Sequence, residues 1–242
     1  MLTEKEFKRY KRHLVLDQIG EQGQIKLKEA KVLVVGAGGL GCPALQYLAC
    51  AGIGTIGVID GDEVDLSNLH RQVLFNDNDI GKNKALIAGK KLIALNPEIK
   101  VKTYSTYLDT KNAKEIISEF DIVLDGTDNF EAKYLINDIT LELEIPLVYG
   151  AIYKLEGQVS VFNYQNGPCY RSLFPEIEGS APNCSEVGVL GILSGIIGLY
   201  QANEVIKICL GIGKVLSGVL LQTNLLDLDS TLIKVPKRNF KN

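Results

Sequence analysis

A glycine-rich turn, GAGGLG at residues 36–41, restricts the fold of this chain more than any other segment. The apolar, β-branched run KVLVVG at 31–36 leads into the turn and predicts a buried strand, and apolar residues recur at helical intervals after it. A strand, a G-x-G-x-x-G turn and a helix in this order are typical of a unit in which backbone N–H groups approach a phosphate. By itself the motif also fits a glycine turn that serves packing alone.

Strands and helices alternate from the glycine turn as far as residue 151. The later predicted strands are 55–60, 99–104, 121–126 and 146–151, and the helical patterns between them are 82–95, 111–119 and 130–143. This alternation predicts an α/β fold, Rossmann-like, with a mostly parallel sheet and helices on both faces. The runs at 157–164, 217–229 and 232–236 are interpreted as antiparallel C-terminal strands that extend the sheet.

No linker, repeat or low-complexity tract divides the 242 residues, so one domain is expected over 1–242. Its expected parts are an N-terminal helical arm at 1–30, a nucleotide-binding core at 31–151 and an antiparallel extension at 152–242. Within the arm, the spacing of apolar residues predicts one amphipathic helix over 4–15. Within the extension, a loop is expected at 165–186 and a long helix at 187–210.

Composition argues against several classes of protein. The net charge is −3 and no polybasic tract is present, which does not favour binding to nucleic acid or to a membrane surface. The uncharged segment 187–200 is too short to span a bilayer. The N-terminus lacks the apolar core of a signal peptide, and the five cysteines include no CxxC pair, so we expect a cytoplasmic protein in a reducing compartment.

Polar residues of unusual variety follow the predicted strands. Asp60 ends the second strand about 20 residues beyond the glycine turn, where an acid binds the hydroxyls of a ribose. Arg71 belongs to the stretch DGDEVDLSNLHRQ that follows, Lys84 opens a helix in GKNKA, and Asp128 lies in DGTDN after another strand. Because the carboxyl ends of parallel strands meet at one edge of the sheet, these residues should converge. Two cations and an acid suit the triphosphate of ATP with Mg²⁺, and Asp128 is the expected metal ligand.

Each of these residues also has a purely structural interpretation. Arg71 could be a surface salt-bridge partner, Lys84 a solvated helix residue, and Asp128 the N-cap of the helix that begins near Phe130. Their joint occurrence at strand ends favours the nucleotide site. His70 is interpreted as a packed or hydrogen-bonded neighbour of Arg71, because a chain with two histidines gives little support to histidine catalysis.

The motifs GAGGLG, D-G-D-x-V-x-L-S-N-L-H-R-Q, G-K-x-K-A and D-G-T-D-N, in this order, resemble those of the ThiF/MoeB/HesA adenylyltransferases, bacterial relatives of ubiquitin-activating enzymes. The resemblance extends to RYKRH at 9–13 and to GQVSVF, PCYR, CSEVGVLG and LYQANEVIK between 157 and 207, and so covers nearly the whole chain. It implies ATP-dependent adenylation of the C-terminal glycine carboxylate of a small ubiquitin-like sulfur-carrier protein, with release of pyrophosphate. That reaction would serve thiamine or molybdopterin biosynthesis.

By this resemblance, residues of every motif contact the nucleotide. Asp60 would bind the ribose, Asn68, Arg71 and Lys84 would face the phosphates, and Asp128 would coordinate Mg²⁺. The nucleotide-binding set implied in this way is Gly36, Gly38, Gly39, Gly41, Asp60, Asp62, Ser67, Asn68, Arg71, Lys84, Asp128 and Asn129. The carrier-binding part would lie within residues 152–242.

The resemblance further implies a homodimer in which Arg12 of one subunit acts at the site of the other, as an arginine finger does. Cys184 lies where some relatives keep a cysteine that can link covalently to the carrier, although an inert buried thiol is the alternative. The chain departs from the family pattern over zinc. Ser172 stands where a second cysteine would follow Cys169, and the C-terminal tail has none, so no structural zinc is expected.

Three other functions stay open at this point. A related protein of the same fold could activate a carboxylate borne on tRNA, although the acidic balance of the chain is mild evidence against it. An NAD-dependent oxidoreductase would explain GAGGLG and Asp60 but not the residues that follow. A non-catalytic binding subunit is disfavoured because Arg71, Lys84 and Asp128 are all present.

Overall fold

A computed structural model describes residues 1–175 and 188–237, and one eight-stranded sheet forms its centre. The strands are β1 (Lys31–Val35), β2 (Thr55–Ile59), β3 (Lys100–Tyr104), β4 (Ile122–Asp125), β5 (Leu147–Tyr153), β6 (Glu156–Phe162), β7 (Val219–Asn224) and β8 (Asp229–Lys234). They lie in the order β3-β2-β1-β4-β5-β6-β7-β8. The first five are parallel and the last three antiparallel, which confirms the predicted sheet.

The helices of the described residues connect these strands and cover the sheet. They are α1 (Glu4–Arg9), α2 (Lys11–Leu14), α3 (Gly20–Glu29), α4 (Gly41–Ala51), α5 (Lys84–Leu95), α6 (Ala113–Ile117), α7 (Phe130–Glu142), α8 (Tyr170–Leu173) and α9 (Gly191–Leu210). Two short 3-10 turns, Leu66–Asn68 and Asp77–Asp79, lie between β2 and α5. The single turn α8 interrupts the segment that was predicted to be loop throughout.

Alternating side chains of the central strand face two separate cores. Val32 and Val34 of β1 pack in a cluster with residues of α3, α4, α5 and α9, whereas Leu33 and Val35 pack with residues of α6, α7 and α8. Because successive side chains of a strand point to opposite faces, a strand that is apolar at every position must be covered on both. The prediction of helices on both faces is therefore confirmed.

The order of the strands determines where a ligand can bind. From β1 the chain moves outward through β2 to β3 and then crosses back to β4 on the other side. In parallel sheets of this kind, ligands occupy the crevice outside the carboxyl ends of the strands where the order reverses. Here that crevice lies beyond the ends of β1, β2 and β4, which are followed by the glycine turn, Asp60 and the DGTDN loop.

The N-terminal arm packs at the C-terminal end of α4, whereas the glycine turn lies at the N-terminal end of this helix. The helix predicted over 4–15 is broken at Tyr10 into α1 and α2, because Tyr10 departs from helical geometry and packs on Gly52, where a Cβ would be 2.6 Å from its ring. The Tyr10 hydroxyl accepts a hydrogen bond of 2.9 Å from Asn96 Nδ2. These contacts attach the arm to the C-terminal end of α4, away from the glycine turn.

The long helix α9 packs tightly against α4 and the sheet. A Cβ on Gly198 would overlap the carbonyl oxygen of Leu40, and one on Gly191 would overlap that of His70. Glycines at these two positions let the backbone of α9 approach the start of α4 and the loop that carries Arg71. None of the helices among residues 1–175 and 188–237 is both long and apolar enough to cross a membrane.

Candidate functional site

The glycine turn is a tight loop that joins β1 to α4. Gly36 has a φ of +92°, in the left-handed region that favours glycine, and a Cβ there would lie 2.9 Å from the carbonyl oxygen of Gly126. A Cβ on Gly41 would overlap the carbonyl of Gly36, and one on Gly39 would lie 3.0 Å from the side chain of Ser194. These glycines are required by packing.

Gly38 is different, because the described residues leave room for a Cβ at this position. Its nearest neighbour would be Gln72 Nε2, at 3.8 Å from a Cβ. The Gln72 side chain is buried, and its Oε1 has no hydrogen-bond partner among residues 1–175 and 188–237. An unpaired buried amide oxygen beside the turn is consistent with a site that receives a polar ligand.

Four consecutive backbone N–H groups at the turn have no acceptor in the part of the chain that the structure describes. Among the described residues, the N–H groups of Gly38, Gly39, Leu40 and Gly41 find no acceptor, and the next donor, Cys42, bonds to Gly38 O at 2.9 Å. They lie at the N-terminus of α4, an eleven-residue helix whose dipole places partial positive charge there. Free N–H groups and a helix N-terminus together form an anion site, as a phosphate requires.

Asp60 is anchored to the glycine turn. Its Oδ2 accepts a hydrogen bond of 2.7 Å from the Ala37 N–H, and its Oδ1 accepts one of 2.8 Å from the Asp62 N–H. Burial raises the pKa of the Asp60 carboxyl, and these two backbone donors oppose that rise. Each oxygen retains a lone pair, so the half-buried carboxylate can still accept the hydroxyls of a ribose.

Lys84 and Asp62 form an ion pair beside Asp60. The Lys84 side chain is buried, and its Nζ lies 3.0 Å from Asp62 Oδ2. The other oxygen of Asp62 accepts a hydrogen bond of 2.6 Å from the hydroxyl of Tyr107. Asp62 was expected to bind the nucleotide, and each of its oxygens accepts one hydrogen bond from a side chain of the protein. Its contact with a nucleotide stays a prediction.

Arg71 is held by its own loop. Its Nη1 donates to Ser67 O at 3.2 Å and lies 2.8 Å from His70 Nε2. For the guanidinium to donate to the ring, His70 Nε2 must be unprotonated. Asn68 Nδ2 donates to Ser67 Oγ at 3.4 Å, and the Ser67 hydroxyl in turn donates to Asp65. The arginine has further donors on its guanidinium, so this arrangement leaves it able to bind an anion.

The DGTDN loop is built around a buried carboxylate. Asp125 Oδ1 accepts hydrogen bonds from the N–H and the hydroxyl of Thr127, at 2.9 and 2.6 Å. Its Oδ2 lies 2.8 Å from Lys133 Nζ, which also donates to the carbonyls of Thr127 and Gly150 at 2.9 and 3.1 Å. One buried ammonium therefore joins the end of β4, the loop and β5. Asp125 thus supports the loop and is not available to a ligand.

Asp128 and Asn129 have separate tasks at the end of this loop. Asn129 is the N-cap of α7, since its Oδ1 accepts a hydrogen bond of 2.8 Å from the Ala132 N–H. Asp128, which could have been that cap, is exposed and has no hydrogen bond or ion pair with any described residue. No cluster of three metal-ligating side chains occurs in the described part of the chain. A single free carboxylate fits Mg²⁺, which is bound by one or two carboxylates together with phosphate oxygens.

The structure does not bring Arg12 to this site. His13, its neighbour on α2, lies 2.9 Å from Gln24 Oε1, and Gln24 donates to the carbonyl of Ala51 at the C-terminal end of α4. The glycine turn is at the other end of this helix, about 16 Å away for eleven residues. Arg12 is exposed. A role for Arg12 at the site of a second copy stays a prediction.

Two cysteine predictions are affected differently by the structure. Cys184 lies in residues 176–187, outside the described residues. Its covalent link to a carrier stays a prediction. Cys169 is buried, and its Sγ is 3.6 Å from the hydroxyl of Ser172, the residue that replaces the expected second cysteine.

Lys133 and Tyr107 were missed by sequence reasoning. In the sequence, Lys133 has the pattern of an ordinary polar residue of a helix. Its role follows only from its burial beside Asp125. Tyr107 is 45 residues from Asp62 along the chain, and no local pattern links the two. The one available signal was the position of Tyr107 after β3, at the same edge of the sheet as the motif residues.

Fold and site together define an α/β protein of the nucleotide-binding class. The N-terminus of α4, the carboxylate of Asp60 and the cations Arg71 and Lys84 lie at the carboxyl edge of its parallel sheet. The chain belongs to the ThiF family, whose sequence profile matches residues 10–242. This agrees with the resemblance of its motifs.

Curated relatives align over most of the chain. A "Sulfur carrier protein adenylyltransferase" of Thermus thermophilus is 50% identical over 226 residues, which is 90% of this chain and 83% of the relative. A "Probable molybdopterin-synthase adenylyltransferase" of Porphyra purpurea is 50% identical over 238 residues, or 97% of this chain. The chain spans only 62% of the length of the Porphyra protein.

Solved structures share the fold. A crystal structure of PaaA has a TM-score of 0.81 at 26% identity and covers 97% of this chain, which in turn covers 75% of PaaA. A crystal structure of E. coli MccB with ATP has a TM-score of 0.79 at 21% identity, with coverage of 98% and 80%. At that identity, the likeness to MccB shows the fold alone.

Proposed function

We propose that this chain uses ATP to adenylate the C-terminal glycine carboxylate of a ubiquitin-like sulfur-carrier protein and releases pyrophosphate. The observation that carries this proposal is the row of free N–H groups at Gly38–Gly41 beside Asp60, which suits a phosphate chain attached to a ribose. The name of the Thermus relative supplies the acceptor, a sulfur-carrier protein, and the name of the Porphyra relative supplies the reaction class, adenylyl transfer. These names give no support to an oxidoreductase or to activation of a tRNA carboxylate.

The proposed reaction needs no protein nucleophile and no general base. An oxygen of the ionised carboxylate attacks the α-phosphorus, the bond from that phosphorus to its β-bridging oxygen breaks, and the electron pair leaves with pyrophosphate. No proton is transferred. Arg71 and Lys84 stabilise the negative charge that develops on the phosphates, and the free N–H groups of the turn orient them. This division of tasks agrees with the small number of histidines, two in the chain, and with the engagement of His70 Nε2 by Arg71.

Asp128 is the residue we assign to Mg²⁺. When bound, the ion would neutralise phosphate charge and favour departure of pyrophosphate. The Asp128 carboxylate is exposed and has no partner among the described residues, whereas the carboxylates of Asp60, Asp62 and Asp125 already accept hydrogen bonds.

Other parts of the proposal concern the assembly. We place the carrier-binding part within residues 152–242 of a single domain, and we retain a cytoplasmic homodimer with Arg12 acting across subunits. Molybdopterin and thiamine synthesis are both served by this chemistry, and the Porphyra relative's name supports the first.

The test is exchange of labelled pyrophosphate into ATP by the purified chain. The acceptor is a ubiquitin-like sulfur carrier ending in Gly-Gly from the same genome, and the control is that carrier without its last glycine. Exchange with the first and none with the second supports the proposal. Exchange that needs tRNA instead, or reduction of NAD without any exchange, would contradict it.

A further inference from the structure

Lys84 has an unusual position for a lysine. It is the first residue of α5 and only 5% of its surface is exposed. A cation at a helix N-terminus opposes the helix dipole, and burial of an ammonium is costly. An ammonium can donate three hydrogen bonds, and among residues 1–175 and 188–237 Lys84 has a single acceptor, Asp62 Oδ2. Two donors therefore remain for a ligand.

Asp62 compensates the charge of Lys84 from a fixed orientation. Its Oδ2 takes the ammonium at 3.0 Å, while its Oδ1 takes the Tyr107 hydroxyl at 2.6 Å. Although burial opposes ionisation of Asp62, these two partners lower the pKa of its carboxyl. Because each oxygen has its own donor, the carboxylate cannot rotate without losing one of them. The ammonium of Lys84 is thereby held in one place.

Tyr107 contributes this hydrogen bond with little burial. Its side chain is 64% exposed, and its ring lies against Gly61, where a Cβ would be 2.7 Å from ring carbons. Gly61 directly follows Asp60, so the ring is beside the ribose acid. A tyrosine so exposed adds little to the hydrophobic core, and its main contact is the bond to Asp62.

We propose that Asp62 and Tyr107 are positioning residues that hold Lys84 with its two remaining donors toward the phosphates of ATP. The inference rests on the proposed function, since it takes ATP as the ligand of the site. It also changes the expected role of Asp62 from a nucleotide ligand to a residue that acts through Lys84.

The test is the affinity for ATP and for adenosine, measured by calorimetry on the full chain. Tyr107→Phe removes the hydroxyl and keeps the ring, and we expect it to weaken ATP binding about fivefold, the net value of one ordinary hydrogen bond. Binding of adenosine, which has no phosphate, should be unchanged. Equal weakening for both ligands, or none for ATP, would overturn the inference.

Tyr104→Phe is the matched control. Tyr104 also donates to a carboxylate, Glu119 at 3.2 Å, but that pair does not lead to Lys84. We expect its ATP affinity to equal that of the wild type. A double-mutant cycle adds a second readout: in a Lys84→Met background, Tyr107→Phe should have no further effect on ATP affinity. An undiminished effect in that background would show that Tyr107 does not act through Lys84.

The two proposals can fail separately. ATP affinity that falls in Tyr107→Phe, together with no carrier-dependent exchange in the wild type, would contradict the proposed function and leave the roles of Asp62 and Tyr107 supported. Carrier-dependent exchange in the wild type, with unchanged ATP affinity in Tyr107→Phe, would contradict the inference alone.

Discussion

Buried and exposed charges at the site have different purposes. Asp125 and Lys133 are almost fully enclosed and satisfy one another and the loop around them, whereas Asp128, three residues further on, is exposed. A buried pair of this kind fixes a loop, and an exposed, unpaired acid is free for a ligand. The first pair could not be found from sequence because burial decided it, while Asp128 was predicted from its position after a strand.

Lys133→Met should destabilise the fold strongly. It would leave Asp125 as a buried charge without a partner, at a cost of about 3–5 kcal/mol. The measurement is the free energy of unfolding in urea. Lys114→Met is the control, because Lys114 pairs with Glu142 where both side chains are more than half exposed, and its loss should cost less than about 1 kcal/mol. Equal losses in the two variants would show that Lys133 has no special structural role.

Asp128→Ala should abolish adenylate formation and leave the free energy of unfolding almost unchanged, because the side chain makes no contact that the fold needs. Asn129→Ala should cost about 1 kcal/mol of stability, since it removes the N-cap of α7. Pyrophosphate exchange and urea unfolding on both variants make the comparison. Full exchange activity in Asp128→Ala would remove this residue from the mechanism.

At the scale of elements, the glycine turn combines packing with the binding that we propose. The motif predicted a strand–turn–helix correctly, but it did not say which glycines serve which purpose. The structure separates them: a Cβ on Gly36, Gly39 or Gly41 would crowd protein atoms, whereas a Cβ on Gly38 would lie 3.8 Å from the nearest described atom. The prediction of one helix over 4–15 was wrong at Tyr10. The contact of Tyr10 with Gly52, distant in sequence, overrides the local helical pattern.

Gly38→Ala and Gly41→Ala should therefore have opposite profiles. Among the described residues, a methyl group on Gly38 meets nothing closer than 3.8 Å, so the variant should fold normally. It should bind ATP less tightly, because the methyl enters the space that we assign to the phosphates. A methyl group on Gly41 would overlap Gly36, so that variant should lose several kcal/mol of stability, on the order of an overpacked core. Thermal unfolding and ATP affinity report the two effects. Unchanged ATP affinity in a folded Gly38→Ala variant would contradict the placement of the phosphates.

At the scale of the whole molecule, alternation of strands and helices was enough to predict the class of fold. The alternation could not give the order of the strands within the antiparallel extension, because that order depends on how β6, β7 and β8 pack. The distance of the arm from the site could also not be predicted from the sequence. It arises because the arm packs at the C-terminal end of α4 and the glycine turn lies at the N-terminal end. The role of Arg12 is therefore a question about the assembly.

Mixing Arg12→Ala with Asp128→Ala tests that role. If Arg12 acts across a two-fold dimer, each mixed dimer has one complete site, and random mixing should restore about a quarter of wild-type exchange activity. Each variant alone should stay inactive. Mixtures that form dimers and yet recover no activity would show that Arg12 does not act in the other subunit.

The most direct test of the account is to follow the phosphorus of ATP. The chain is incubated with the Gly-Gly carrier and ATP labelled at either the α- or the γ-phosphate, and the carrier is isolated under acidic conditions. We expect label on the carrier from α-labelled ATP only, because the carboxylate attacks the α-phosphorus. Label from γ-labelled ATP, or none from either, would contradict the assignment of this crevice to adenylation.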